Sequence, residues 1–177
     1  MRRVLGEEHP DTLRSIGNLA LTYLKQGQVK QAEELQVMVM ETMKRVFGEE
    51  HLDTLLSIGN LASTYQKQGQ LKQAEELQVV VMETMRRVFG EEHPDTLRSI
   101  GNLALTFQKL GQLKEAEELQ VMVMETMKRV LGEKHPDTLL IIGNLASTYQ
   151  DQGQWKEAEK LQMVVKMRKS VHGKEFY

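Results

Sequence analysis

A chain of 177 residues is long enough for one ordinary domain or a short array of repeats. Hydrophobic residues at 40% and charged residues at 27% make a globular composition and argue against disorder. The formal charge of −2 gives no reason to expect nucleic acid or an anionic membrane as partner, and there is no cysteine for disulfides or thiolate zinc sites. No apolar run approaches the ~18 residues of a membrane span, and the start "MRRVLGEE" lacks an apolar signal core. The expectation is a soluble, cytoplasmic protein.

Residues 1–8 match "MRRVFGEE" at 85–92 and read as the tail of a preceding repeat, so the chain begins inside a unit. At His9 the text "HPDTLRSIGNLALTYLKQGQ" opens, and it starts again in nearly the same letters at His51, His93 and His135. The period is 42 residues without a gap, which is the signature of a solenoid or array. The units are 9–50, 51–92, 93–134 and 135–177, the last with a C-terminal cap.

Within a unit, Pro10, Pro94 and Pro136 suit the first turn of a helix, and Gly27, Gly69, Gly111 and Gly153 close it. The spacing predicts helix A at about 10–25, burying Leu13, Ile16, Leu19, Ala20 and Tyr23 on one stripe. Helix B follows at about 29–47, burying Ala32, Leu35, Val39, Met43 and Val46, with Gly48, Gly90, Gly132 and Gly173 as its stops. Glu33 and Glu34 are expected in its first turn and Lys44 and Arg45 in its last, as the helix dipole favours. Asp11 serves the start of helix A in the same way. Two helices and two short loops, four times, make an all-α chain, an α-solenoid.

At "NLALTYLKQGQVKQAEEL" the sequence resembles the tetratricopeptide (TPR) repeat, through Leu19, Ala20, Tyr23, Gly27, Ala32 and Leu35. The longer pattern "HPDTL…NLALTYLKQGQ…AEEL…VFGEE" resembles the kinesin-light-chain type, and is similar to arrays that follow a nucleotide-binding switch (NB-ARC-like) domain in fungal proteins. Three features depart from the light chains. Gly17 stands where they tend to have asparagine, Gln36 replaces an aromatic residue, and helix B is long and rich in methionine. The resemblance implies a right-handed superhelix of helix-turn-helix repeats, with helix A lining a concave groove that binds peptides or partner proteins.

On that reading Asn18, Asn60, Asn102 and Asn144 face the groove. An amide both donates and accepts, which suits a peptide backbone of any sequence. At ~10 Å per repeat and ~3.3 Å per extended residue, each would meet every third peptide residue. The alternative is an asparagine that bonds a neighbouring helix. Arg14, Arg98, Lys25, Lys67 and Lys109 are further groove candidates. Arg14 and Arg98 alternate along the chain with Leu56 and Leu140, and Leu21 and Leu105 with Ser63 and Ser147, implying an 84-residue duplication over the 42-residue one. Gly17, Gly59, Gly101 and Gly143 each cost about 1 kcal/mol inside helix A and suggest close approach, by a neighbouring helix or by a bound peptide.

"HPD" is also the tripeptide of J-domain co-chaperones, but there it occurs once, in a loop between helices. Four histidines at equivalent places on helices ~8–10 Å apart cannot converge on one ion, whose ligands lie at roughly 2 Å. The methionines of "VMVMETM" belong to the core by their spacing, although they could serve an adaptable surface. No nucleophile–base pair, phosphate loop or two-carboxylate site is legible, and the chain reads as a non-enzyme without a cofactor. The expected function is a protein–protein interaction scaffold that binds a peptide in the helix-A groove. The rival is a structural, self-associating spacer or sensor array of a larger receptor. Met1, Val4 and Leu5 alone cover the first helix A, whereas Lys166, Arg168 and Lys169, with Trp155, Phe176 and Tyr177, suggest a polar, closed C-terminal edge. Self-association through the N-terminal end face is therefore expected, as a two-fold dimer.

Overall fold

The computed structural model describes residues 6–172, with side chains through Met167. Met1, Val4, Leu5, Gly173, Phe176, Tyr177 and the side chains of Arg168 and Lys169 lie outside the described residues. Among those described there are eight helices and no strand: α1 Pro10–Lys25, α2 Val29–Phe47, α3 Leu52–Lys67, α4 Leu71–Phe89, α5 Pro94–Lys109, α6 Leu113–Val130, α7 Pro136–Asp151 and α8 Trp155–His172.

The odd-numbered helices are helix A of each repeat, and all four start alike. The histidine before each holds an extended backbone, and its Nδ1 accepts the N–H two residues on, from Asp11, Asp53, Asp95 or Asp137, at 3.2 Å. That bond satisfies one of the free N–H groups of the first turn, and the aspartate complements the helix dipole there. "HPD" is thus a helix start in which histidine is the cap. The Phe47 and His51 rings also pack, with centroids 5.1 Å apart. At the other end Gly27 takes φ 78°, which lets the Gln28 N–H reach the Tyr23 carbonyl at 2.9 Å.

The chain divides into two compact units, Met1–Val88 and Phe89–Tyr177. In the first, α1 packs on α2 and α2 on α3; in the second, α5 packs on α6, α6 on α7 and α7 on α8. Ala20 and Ala32 are fully buried, because a methyl side chain lets two helix backbones come close. Leu13, Ile16, Val39 and Met43 form the first unit's core, and Leu97, Ile100, Val123 and Met127 are buried at the same places in the second. Burial of such a side chain is worth ~1.5–3 kcal/mol.

Some expectations need correction. Glu33 and Glu34 fall beyond the first turn of α2, which holds no acidic residue. Glu33 instead accepts a hydrogen bond from Gln68 Nε2 of α3 at 2.7 Å. Val46 is exposed and Leu35 half-buried, while Gln36 is buried at 3% exposure because Thr64 pairs with it. Leu19 is 45% exposed, against 2% for Leu61 and 1% for Leu145, since each of those has a helix B packed before it within its own unit. Tyr23 is half-buried. On the described part of the C-terminal edge, Lys156, Glu159, Lys160 and Lys166 are exposed on α8 together with Trp155, Met163 and Met167.

Candidate functional site

Each unit carries a cleft between its two A helices. In the first, α1 supplies Arg14, Gly17 and Asn18, and α3 supplies Asp53, Leu56, Ser57 and Asn60, over a floor of Leu13, Val39 and Met43. In the second, α5 supplies Arg98, Gly101, Asn102 and Leu105, and α7 supplies Asp137, Leu140, Ile141 and Asn144, over Leu97, Val123 and Met127. Every wall residue of the first cleft has its counterpart 84 residues on, so the long duplication legible in the sequence is a duplication of clefts. One chemical difference stands out: Ser57 becomes Ile141. The bulkier side chain accounts for a volume of about 110 Å³ in the second cleft against about 170 Å³ in the first.

Of the helix-interior glycines, Gly17 and Gly101 sit in these walls, and Gly59 and Gly143 do not. A methyl group added at Gly17, Gly59 or Gly143 would meet nothing within 4 Å, and at Gly101 it would reach only the Ile141 Cδ1 at 3.4 Å, an ordinary contact. Close approach of a neighbouring helix is therefore not the reason for them.

The structure brings Asn18 and Asn60 together in the first cleft and Asn102 and Asn144 in the second. Asn18 and Asn102 are exposed, and Asn60 and Asn144 half-buried. Their main-chain carbonyls accept from Thr22, Thr64, Thr106 and Thr148, whereas among the described residues their side-chain amides make no hydrogen bond. The amides are free to both donate and accept.

Charge at the mouths is mixed. Arg14 reaches across to Asp53 of α3 at 3.5 Å and lies 3.6 Å from Asp11, while Arg98 pairs with Asp95 in its own helix. The Arg–Leu alternation along the chain becomes adjacency in space, since each cleft takes its arginine from one helix and its leucine, Leu56 or Leu140, from the next. Leu140 stands 63% exposed at the mouth. Asp53 and Asp137, in the first turns of α3 and α7, are cleft residues as well. Lys25, Lys67 and Lys109 lie in the last turns of α1, α3 and α5, exposed and outside both clefts.

A separate set of ion pairs ties helix B to the segment before helix A of the same repeat: Arg45 to Glu8 at 2.7 Å, Arg87 to Glu50 at 2.8 Å, and Arg129 to Glu92 through two bonds of 2.7 and 3.0 Å. The hydrogen bond and charge of each arginine hold its glutamate below the usual carboxylate range. In the second unit, burial together with Glu117 raises the Tyr149 phenol. Among the described residues no three histidine or carboxylate side chains gather to hold a metal ion, and no helix is long and apolar enough to cross a membrane.

Stacked pairs of antiparallel helices, joined by Gly-centred turns and repeated in register, define an α-solenoid of TPR type. The tetratricopeptide repeat model matches residues 17–79, 59–120 and 101–164, and the chain belongs to that family. Among solved structures it is similar to a Podosopora anserina protein described as a putative kinesin light chain with nearly identical TPR-like repeats. One form of that protein, a point variant, is 33% identical over 97% of this chain and 81% of its own, with TM-score 0.77. A second form is 34% identical over 97% and 82%, with TM-score 0.73. BtubC (BKLC) from P. vanneervenii shares the fold at 18% identity, with TM-score 0.77 over 92% of this chain and 65% of its own. No curated protein matches the chain.

Proposed function

We propose that the chain is a protein–protein interaction scaffold, and that its two helix-A clefts take an extended peptide or partner segment. The observation that carries this reading is the pair of unbonded asparagine amides in each cleft, set beside one helix-interior glycine of the wall, Gly17 or Gly101. Such glycines cost helix stability and gain nothing in packing, so they are explained by a chain that passes close to the wall. The amides then bond its main chain, and the apolar floors take a side chain. Likeness to kinesin-light-chain-type repeats supports a binding role, and a cytoplasmic place of action suits the cysteine-free sequence. TPR arrays are typically non-catalytic, and nothing in the clefts calls for catalysis.

The test is selection of short peptides on an immobilised wild-type chain, followed by titration of a recovered peptide. Replacing Asn18, Asn60, Asn102 and Asn144 together by alanine is expected to weaken its binding by at least about tenfold, the loss of one or two net hydrogen bonds. Unchanged affinity would remove the clefts from the reading. A second reading, a spacer or sensor array in a larger receptor, draws on the near-identity of the two clefts, since copies that differ at one chemical position have diversified little.

A further inference from the structure

One joint recurs inside both units. In the first, Gln36 of α2 accepts the Thr64 hydroxyl of α3 at 2.5 Å, and Glu33 accepts Gln68 Nε2 at 2.7 Å. In the second, Gln120 accepts from Thr148 at 2.7 Å and Glu117 from Gln152 at 2.8 Å. Beside the threonine lies a leucine at 1–2% exposure, Leu61 or Leu145. The helix-B half of the joint reads Glu-x-x-Gln. The helix-A half reads Leu-x-x-Thr-x-x-x-Gln.

Both halves also occur unmated. On α1 the helix-A half is Leu19, Thr22 and Gln26, with Leu19 at 45% exposure and the other two exposed. On α8 the helix-B half is Glu159 and Gln162, with Glu159 exposed and Gln162 half-buried where Gln36 and Gln120 are 3% and 0% exposed. On α8, Met163 stands where the internal helices have Val37, Val79 and Val121, Met167 where they have the exposed Glu41, Glu83 and Glu125, and Lys166 where they have Met40, Met82 and Met124. The two methionines line an open groove of about 430 Å³ with Lys156, Glu159 and Lys160.

We propose that the α8 face of one copy takes α1 of a second copy through this joint, Gln162 accepting from Thr22 and Glu159 from Gln26, with Leu19 at the apolar centre. The contact continues the interface already built between α2 and α3 and between α6 and α7. Because its two sides differ, it is heterologous, and copies add head to tail. A two-fold contact of N-terminal faces would set Thr22 and Leu19 against their own copies and leave α8 open.

Light scattering over a concentration series of the 177-residue chain, with the exposed-site variants Leu19→Arg and Met163→Glu, tests this. The wild-type mass is expected to rise with concentration above the single-chain 20.3 kDa. Each variant alone is expected to stay at one chain. An equimolar mixture of the two is expected to reach twice that mass and stop, because one intact α1 and one intact α8 remain. Doubling in the mixture also shows that both variants are folded. A wild type that stays at single-chain mass throughout, or a Met163→Glu chain that associates as the wild type does, overturns the proposal, the second result being that of a two-fold N-terminal contact.

Discussion

The Thr148 hydroxyl donates to the side-chain carbonyl of Gln120 at 2.7 Å, with both residues fully buried, and the Gln120 Nε2 has no partner among the described residues. The pair is therefore half-satisfied, and its two members are not equal. The threonine has a second acceptor, the Asn144 carbonyl at 3.3 Å, and the glutamine has none. Replacing Gln120 by methionine, of similar length, removes the unpaired amide and is expected to change stability by less than ~1 kcal/mol in either direction. Thr148→Val strands the whole amide and is expected to cost ~1–3 kcal/mol. Urea unfolding of the two variants measures the asymmetry, and equal costs would show that the bond itself dominates.

This joint also marks where the sequence stopped being legible. Helix bounds could be read to the residue for α1 and α2, because proline, glycine and a regular apolar stripe are local signals. Gln36 and Thr64 are 28 residues apart, and nothing local in a glutamine at an aromatic position says that it is buried against a threonine. The asparagines were legible through the family resemblance. Their lack of hydrogen bonds was not, since bonding depends on what the next helix presents. The choice between the two readings of the glycines was not legible for the same reason: their cost is local, but the open space beside Gly17, Gly59 and Gly143 depends on two helices at once.

That open space makes the glycines a test of stability against binding. Gly17→Ala, Gly59→Ala and Gly143→Ala place a methyl group where nothing lies within 4 Å. Each is expected to stabilise the chain by up to ~1 kcal/mol through helix propensity. Gly27→Ala should do the reverse, since φ 78° strains any side chain. Thermal unfolding midpoints give the sign for each. A loss of stability at Gly17 would mean that its backbone does more than the helix requires.

Acid should loosen the loop-to-helix ion pairs. Glu8, Glu50 and Glu92 have pKa values depressed in the folded chain by hydrogen bonds and charge from Arg45, Arg87 and Arg129. A depressed carboxylate contributes stability that is present above its unfolded pKa of about 4.3 and is lost as pH falls through the lower folded value. All six groups are fully exposed, so the effect is small and screened by salt. Glu92→Gln is expected to unfold slightly earlier than the wild type at neutral pH and low salt. The difference should vanish once pH is well below the ordinary carboxylate range. A difference that persists in acid would assign Glu92 a role other than its charge.

Removing whole repeats tests the register of the array. Deleting residues 51–92 joins Glu50 to His93 and presents α5 to α2. Gln36 then meets Thr106 in place of Thr64, and Arg129 stands where Arg87 stood for Glu50. Glu33 loses a partner, because Leu110 occupies the place of Gln68, at a cost of about 0.5–1.5 kcal/mol. Stability in such an array is close to a sum of repeats and their nearest-neighbour joints, so the shorter chain is expected to fold cooperatively with a lower unfolding midpoint. Deleting residues 51–71 removes α3 and leaves α4 behind. Val81 and Met85, at 4% and 1% exposure in the intact chain, then lose their own repeat's helix A, at up to ~1.5–3 kcal/mol for each side chain uncovered. Urea denaturation followed by circular dichroism should show a clean transition for the first deletion and a far weaker or absent one for the second. If the two chains unfolded at the same midpoint, the repeat boundaries would not lie at His51 and His93.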